Sequence, residues 1–183
     1  MALDAAGGDA GMMVNIDAAV EAITESRLLK VTLVGNRADI EACLQKKHYD
    51  FDEIEIHHAD NVVDMHHKPI AAARDRNNSI SRGIELMRQE KADAFVSVGN
   101  TGAIAAAAIL RLGMLPELER APILGAFPTM SGHPIAVLDM GANVDSKPWH
   151  LLGFAALGSE YARHIMDRKD ARVALLSIGE ESA

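Results

Sequence analysis

Cysteine, aromatic residues and positive charge are all scarce in this 183-residue chain. The single cysteine, Cys43, excludes an internal disulfide and is typical of a protein of the reducing cytosol. One Trp, two Tyr and four Phe leave a core of small and branched aliphatic side chains, which suits helices packed closely on a sheet. The formal net charge of -8 argues against a nucleic-acid partner, because phosphate backbones require a basic face.

Long apolar runs and targeting signals are also missing. The longest apolar stretch, residues 103–115, is interrupted by Arg111 and is too short to cross a bilayer. The first residues contain no basic region followed by an apolar run, which is the pattern of a secretory signal. These features predict a soluble, cytoplasmic protein.

Short apolar runs alternate with amphipathic stretches, a pattern typical of βαβ units and a mainly parallel sheet. We therefore predict an α/β fold of three layers, αβα, with a Rossmann-like sheet. The predicted strands are 2–4, 30–34, 53–57, 94–98, 123–126, 135–139 and 172–178, and the predicted helices are 13–26, 37–47, 79–89, 102–112 and 148–166. Residues 135–138 are apolar throughout, as in a strand covered on both faces. Residues 60–78 are polar and rich in histidine and are predicted to be a loop with one short helix at most.

The sequence stops just after the last predicted strand, whereas a sheet normally continues past such a point. We therefore expect the chain to be the N-terminal part of a single larger α/β domain that is incomplete at its C-terminus.

Four of the predicted strands run into turns rich in glycine, aspartate or asparagine, at residues 3–9, 98–102, 138–145 and 178–181. In an open parallel sheet the carboxyl ends of the strands meet at one edge, where ligands bind. Glycine lets the backbone approach a ligand, and a following helix offers N–H groups to an anion. The turn at 99–102 is the best candidate, with Thr101 as a helix cap or as a hydroxyl donor to phosphate.

Each turn, taken alone, is also compatible with a simple tight connection. None matches the P-loop pattern or the G-x-G-x-x-G fingerprint of dinucleotide-binding proteins. The residues alone therefore predict an α/β protein that binds a phosphate-bearing ligand.

The four turns also carry longer motifs in a shared order and spacing: LDAAGGD at 3–9, FVSVGNTGA at 95–103, LDMGANVDSKP at 138–148 and ALLSIGEE at 174–181. They resemble the motifs h-D-A-M-G-G-D, V-S-A-G-N-T-G-A, L-D-x-G-A-N-V-D-x-x-P and G-L-L-N-I-G-E-E of the PlsX family of phosphate acyltransferases. The chain departs from the family pattern at Ala6, at residues 11–13, at Trp149 and at Ser177.

This resemblance implies the isopropylmalate dehydrogenase/phosphotransacetylase-like version of the fold. It also implies a reaction in which a fatty acyl group moves from acyl carrier protein to inorganic phosphate, giving an acyl phosphate for phospholipid synthesis. The implied partners are acyl carrier protein and phosphate, with a second copy of the chain in a homodimer, and no cofactor. Peripheral membrane association is expected through the missing half.

The chemistry suggests roles for the motif residues. Phosphate is largely dianionic at neutral pH, so the site needs positioning donors more than a strong base. The predicted catalytic residues are Asn100 as a donor to phosphate, Asn143 as an oxyanion donor and Asp139 as an acceptor that orients these amides. The predicted substrate- or phosphate-binding residues are Gly8, Asp9, Gly99, Thr101, Gly102, Gly141, Asp145, His150, Gly179 and Glu180. Asp139 and Asp145 are equally compatible with turn capping, and His150 with helix capping.

Other candidate groups are predicted to be structural. Cys43 lies at an apolar helical position, so we expect direct displacement without an acyl-enzyme. Adjacent histidines point to opposite sides of an extended chain, so we expect no metal at His57-His58 or His66-His67. The apolar stripe of the helix at 102–112 is predicted to be core and consists of Ile104, Ala107, Ala108 and Leu112.

Two alternatives stay open. The first is a related α/β enzyme, either a phosphate acetyltransferase that acts on acyl-coenzyme A or a decarboxylating dehydrogenase. The second is an inactive fragment that serves only as a folding or assembly unit.

Overall fold

The computed structural model describes residues 1–47, 52–143 and 145–176. The chain divides into two compact units, residues 1–113 and residues 114–183. No helix in the described ranges is both long and apolar enough to cross a membrane.

A four-stranded parallel sheet forms the centre of the first unit, in the order β3-β2-β1-β4. Its strands are β1 (Ala2–Asp4), β2 (Val31–Gly35), β3 (Ile54–His58) and β4 (Phe95–Val96). The chain moves outward from β1 to β2 and β3, and then returns to the opposite side of β1 to form β4. The strand order therefore reverses between β1 and β4, and this switch point is where open α/β sheets bind ligands.

Helices cover both faces of this sheet. They are α1 (Met12–Glu25), α2 (Arg37–Leu44), α3 (Pro69–Arg74), α4 (Ser79–Arg88) and α5 (Thr101–Leu112). Successive strand residues bury into separate cores, because side chains alternate across a strand. Leu33 packs with residues of α1 and α2, whereas its neighbour Val34 packs with Leu86 of α4. The predicted three-layer α/β fold with a mainly parallel sheet is thus confirmed.

The second unit contains an antiparallel strand pair, β5 (Leu124–Phe127) and β6 (Ile135–Leu138), followed by α6 (Pro148–His164). The prediction that residues 135–138 form a strand covered on both faces is wrong, since Ile135 is exposed and the other three residues are only half-buried. β5 and β6 pair in antiparallel fashion because a short connection joins them, whereas a parallel pair would need a long crossover.

Two further predictions fail. Residues 172–176 adopt no regular structure, so the predicted strand 172–178 is wrong over that part, and its end lies outside the described residues. Leu112 is 48% exposed although its helical period placed it in the core, because the apolar cluster that α5 forms with α3 and α4 reaches only to Ala108.

Candidate functional site

The first glycine turn, residues 4–8, follows β1 and is shaped by a side chain from α1. The buried amide of Asn15 donates hydrogen bonds to the carbonyl oxygens of Asp4 (3.4 Å), Ala5 (3.2 Å) and Gly7 (2.8 Å). Sequence reasoning missed Asn15. The available signal was a single polar residue on the buried face of α1, beside Ile16.

The second glycine turn, residues 97–102, follows β4 and leads into α5. Asn100 is the N-cap of this helix, and its Oδ1 accepts the N–H of Ala103 at 3.0 Å. Thr101 is the first helical residue and is exposed, so the prediction that Thr101 caps the helix is wrong. The cap must precede the first helical residue, and Asn serves there at least as well as Thr.

Ser97 connects the two turns. Its hydroxyl donates to Oδ2 of the buried Asp4 carboxylate at 2.8 Å and accepts the N–H of Gly99 at 3.0 Å. The turns also touch through their backbones, since a Cβ on Gly7 would lie only 3.1 Å from the nitrogen of Gly99. Two of the four predicted turns are therefore in direct contact at the switch point of the sheet.

The start of α5 offers free donors at this point. The backbone N–H groups of Asn100, Thr101 and Gly102 donate no hydrogen bond within the described residues, whereas the N–H of Gly99 is taken up by Ser97. Unpaired N–H groups and the positive end of the helix dipole together favour a bound anion. The arrangement can hold phosphate chemically.

The side-chain amide of Asn100 is directed away from these donors. Its Nδ2 donates to the carbonyl oxygens of Asp64 (3.3 Å), Met65 (3.1 Å) and His67 (3.1 Å). Both amide hydrogens are thus engaged by the histidine-rich loop. The catalytic role of Asn100 stays a prediction, and among the described residues its backbone N–H is the donor without a hydrogen-bond partner.

The motif of the second unit centres on Asp139, which has a left-handed backbone with φ of 62°. Its Oδ1 accepts both the backbone N–H and the side-chain Nδ2 of Asn143, each at 3.1 Å. The predicted orientation of Asn143 by Asp139 is present, and Nδ2 of Asn143 also donates to the carbonyl oxygen of Ala121 at 3.3 Å. Gly141 and Asp145 are exposed, and no hydrogen bond joins Asp145 to Asn143 in the described part of the chain.

His150 is buried and makes structural contacts on both ring nitrogens. Its Nδ1 accepts the N–H of Lys147 at 3.1 Å, so the N–H of the ring is at Nε2, which donates a hydrogen bond to Glu119 at 3.1 Å. Trp149 donates to the same carboxylate oxygen of Glu119 at 3.0 Å. The hydrogen bond from Trp149, followed by that from His150, lowers the pKa of Glu119. The helix-capping interpretation of His150 is confirmed.

The other predicted binding residues are less informative. Gly8 lies in the first glycine turn and is half-buried, and Asp9 beyond it is exposed. Gly179 and Glu180 lie outside the described residues.

An open depression of about 470 Å³ lies at the ends of β2 and β3, away from the glycine turns. Its polar side chains are already engaged by the protein. Arg37 donates to the carbonyl oxygen of Ile56 at 2.7 Å, and the ring of His58 accepts the N–H of Arg37 and pairs with Asp60. We therefore assign the candidate site to the switch point.

Known proteins similar to this chain identify its family. The family described as "Fatty acid synthesis protein" matches residues 1–183. Proteins named phosphate acyltransferase from Dictyoglomus turgidum and Methylococcus capsulatus are 42% and 43% identical, over 99% of this chain and 54% of their own length. The phosphate acyltransferase of Gloeothece citriformis is 40% identical over 100% of this chain and 52% of its length. The chain thus spans about half the length of the curated relatives it matches. With the motifs at both glycine turns and a match along all 183 residues, the chain belongs to the fatty acid synthesis protein family, as its resemblance to PlsX predicted.

Proposed function

We propose that this chain contributes the phosphate-binding half of a phosphate acyltransferase, which transfers a fatty acyl group from acyl carrier protein to inorganic phosphate. One observation carries the proposal: two linked glycine turns meet at the switch point of the sheet, where α5 begins with free N–H groups. Membership of the family and the names of the relatives support it.

In the proposed reaction a phosphate oxygen attacks the carbonyl carbon of the thioester. The tetrahedral intermediate then expels the carrier-protein thiolate, which takes a proton from solvent, and an acyl phosphate remains. Because phosphate is already an anion, its positioning supplies most of the catalysis, at best roughly 7–11 kcal/mol. The N–H groups of Asn100, Thr101 and Gly102, with the Thr101 hydroxyl, would hold the phosphate.

Asn143 is proposed as the oxyanion donor: Asp139 holds its amide, which would exchange its longer hydrogen bond to the carbonyl oxygen of Ala121 (3.3 Å) for one to the oxyanion. Replacing Asn143 with Ala should lower kcat by about 10²–10³-fold, as does the loss of one oxyanion donor in other acyl transfers. The matched control is Ser146→Ala, which removes a different hydrogen bond to Asp139 (3.3 Å) but leaves Asn143 intact. Equal effects of the two substitutions on kcat would contradict the role of Asn143.

The proposed function is tested by phosphate-dependent formation of acyl phosphate, trapped with hydroxylamine. Acyl carrier protein and coenzyme A thioesters of one fatty acid are compared, with this chain and with the full-length protein that carries it. We expect product from the carrier-protein thioester. Product from the coenzyme A thioester alone would favour the phosphate acetyltransferase alternative, and no product from either would refute the proposal. Homodimer formation and peripheral membrane contact stay predictions of the resemblance.

A further inference from the structure

Two buried asparagines in the first unit play the same structural part at neighbouring helices. Asn100 caps α5 and donates to three carbonyl oxygens of residues 64–67. Asn78 caps α4 through Ser81 and donates to the carbonyl oxygens of Ala72 (2.7 Å) and Asp75 (3.0 Å). Each therefore joins the start of one helix to a separate piece of chain, but only Asn100 lies at the candidate phosphate site.

The chain held by Asn100, residues 64–68, is exposed along its whole length and lies against the start of α5. Immediately after it, the ring of Pro69 packs on Gly102, where an added Cβ would lie 2.7 Å from Cγ of Pro69. Residues 64–68 therefore lie beside the N–H groups that are proposed to hold phosphate. We call them the clamped segment.

The clamped segment has its own internal hydrogen bonds and one charged group of each sign. The Asp64 carboxylate accepts the N–H of His66 at 2.8 Å, and Nδ1 of His67 lies 2.9 Å from this carboxylate and accepts the backbone N–H of Asp64 at 3.1 Å. These contacts lower the pKa of Asp64, the hydrogen bond from His66 most strongly. Lys68 adds one positive charge next to Pro69, which offsets the single carboxylate of the segment.

We propose that Asn100 is a positioning residue, whose amide fixes the clamped segment as one wall of the phosphate site and thereby sets the affinity for phosphate. This inference rests on the proposed function. The side-chain amide of Asn100 then holds the clamped segment in place, and only its backbone N–H binds phosphate. A wall displaced by even an ångström would leave the phosphate poorly oriented.

The test compares Asn100→Ser with the matched control Asn78→Ser in the full-length protein. Serine still caps a helix but has no amide to donate to the carbonyl oxygens. Both variants should lose thermal stability to a similar extent. Only Asn100→Ser should raise KM for inorganic phosphate, by about tenfold, while KM for the acyl donor stays within about twofold of the wild type. An unchanged phosphate KM in Asn100→Ser, or an equal rise in Asn78→Ser, would overturn the proposal.

Hydrogen exchange decides the proposal without any variant. Inorganic phosphate added to the wild-type protein should slow amide exchange in residues 64–68 together with residues 99–103. If phosphate protects residues 99–103 alone, residues 64–68 are not a wall of the site. If it protects neither range, the phosphate site is refuted as well. Absence of acyl phosphate formation by the wild-type protein would refute the proposed function. The exchange experiment would still decide whether residues 64–68 lie beside bound phosphate. If Asn100→Ser fails to fold, Asn100→Asp retains a strong cap without the amide, and faster exchange at residues 64–68 is the result expected from it.

Discussion

Replacing Ser97 with Ala removes the link between the two glycine turns and tests the geometry of the site most directly. The Ser97 hydroxyl is the donor to Oδ2 of Asp4, a carboxylate that is 1% exposed, and it also accepts the N–H of Gly99. Without it, a buried charged oxygen and a buried N–H both lose a partner.

The expected loss of stability follows from these contacts. A hydrogen bond to a charged group contributes about 1.5–3 kcal/mol, and a buried polar group left without a partner adds to the loss. We therefore expect Ser97→Ala to lower the free energy of unfolding by about 2–3 kcal/mol. In a chain of this size that corresponds to a fall in Tm of roughly 4–12 °C.

Urea denaturation of Ser97→Ala and Ser79→Ala measures this effect against a control. Ser79 is more deeply buried than Ser97, but its hydroxyl has no hydrogen-bond partner within the described residues. Removing that hydroxyl should change the free energy of unfolding by less than about 0.5 kcal/mol, or raise it slightly. If the two alanine variants are equally stable, the assigned link between Ser97 and Asp4 is wrong.

Three more predictions address other parts of the first unit. Asn15→Ala leaves three carbonyl oxygens of the first glycine turn without their donor, so the free energy of unfolding should fall by about 1–3 kcal/mol in urea denaturation; wild-type stability would argue against this role. Gly102→Ala adds a methyl group 2.7 Å from Pro69 but improves helix propensity by about 1 kcal/mol. The KM for phosphate should therefore rise severalfold with little change in Tm. An unchanged KM would contradict the predicted crowding against Pro69. Hydrogen bonding by Arg88 lowers the pKa of Glu85 from 4.5 to about 2, so its carboxylate stabilises the fold above about pH 4.5 and loses this effect as the pH falls towards 2. Glu85→Gln should therefore be less stable than wild type by up to about 1 kcal/mol at pH 7, with the difference closing by about pH 2 in denaturation curves; a difference that persists there would refute the assignment.

Much of the fold could be predicted because its signals are local. The period of apolar residues located helices such as α1 and α4 within one residue of each end, and β1 was predicted with its observed bounds. Capping was harder. Thr101 and Asn100 are both good capping residues, and only the observed start of α5 distinguishes them.

The site could be predicted only in outline. The sequence indicated which turns to examine, and Asp139 was predicted to orient the amides, as its hydrogen bond with Asn143 shows. Asn15 and Ser97 were not recognised as site residues, since each contacts a turn on a different element of the fold. The Ser97–Asp4 hydrogen bond joins residues 93 positions apart.

By itself, the sequence determined the α/β class, the two glycine turns and the family, because residue periodicity and motifs are properties of neighbouring residues. Only the tertiary structure decided that β4 lies beside β1, that β5 and β6 pair with each other, and that the Asn100 amide faces residues 64–68. The partner of a strand edge or of a buried amide depends on which distant segments the chain brings together. Many pairings satisfy the same local pattern, and packing of the whole core selects one of them.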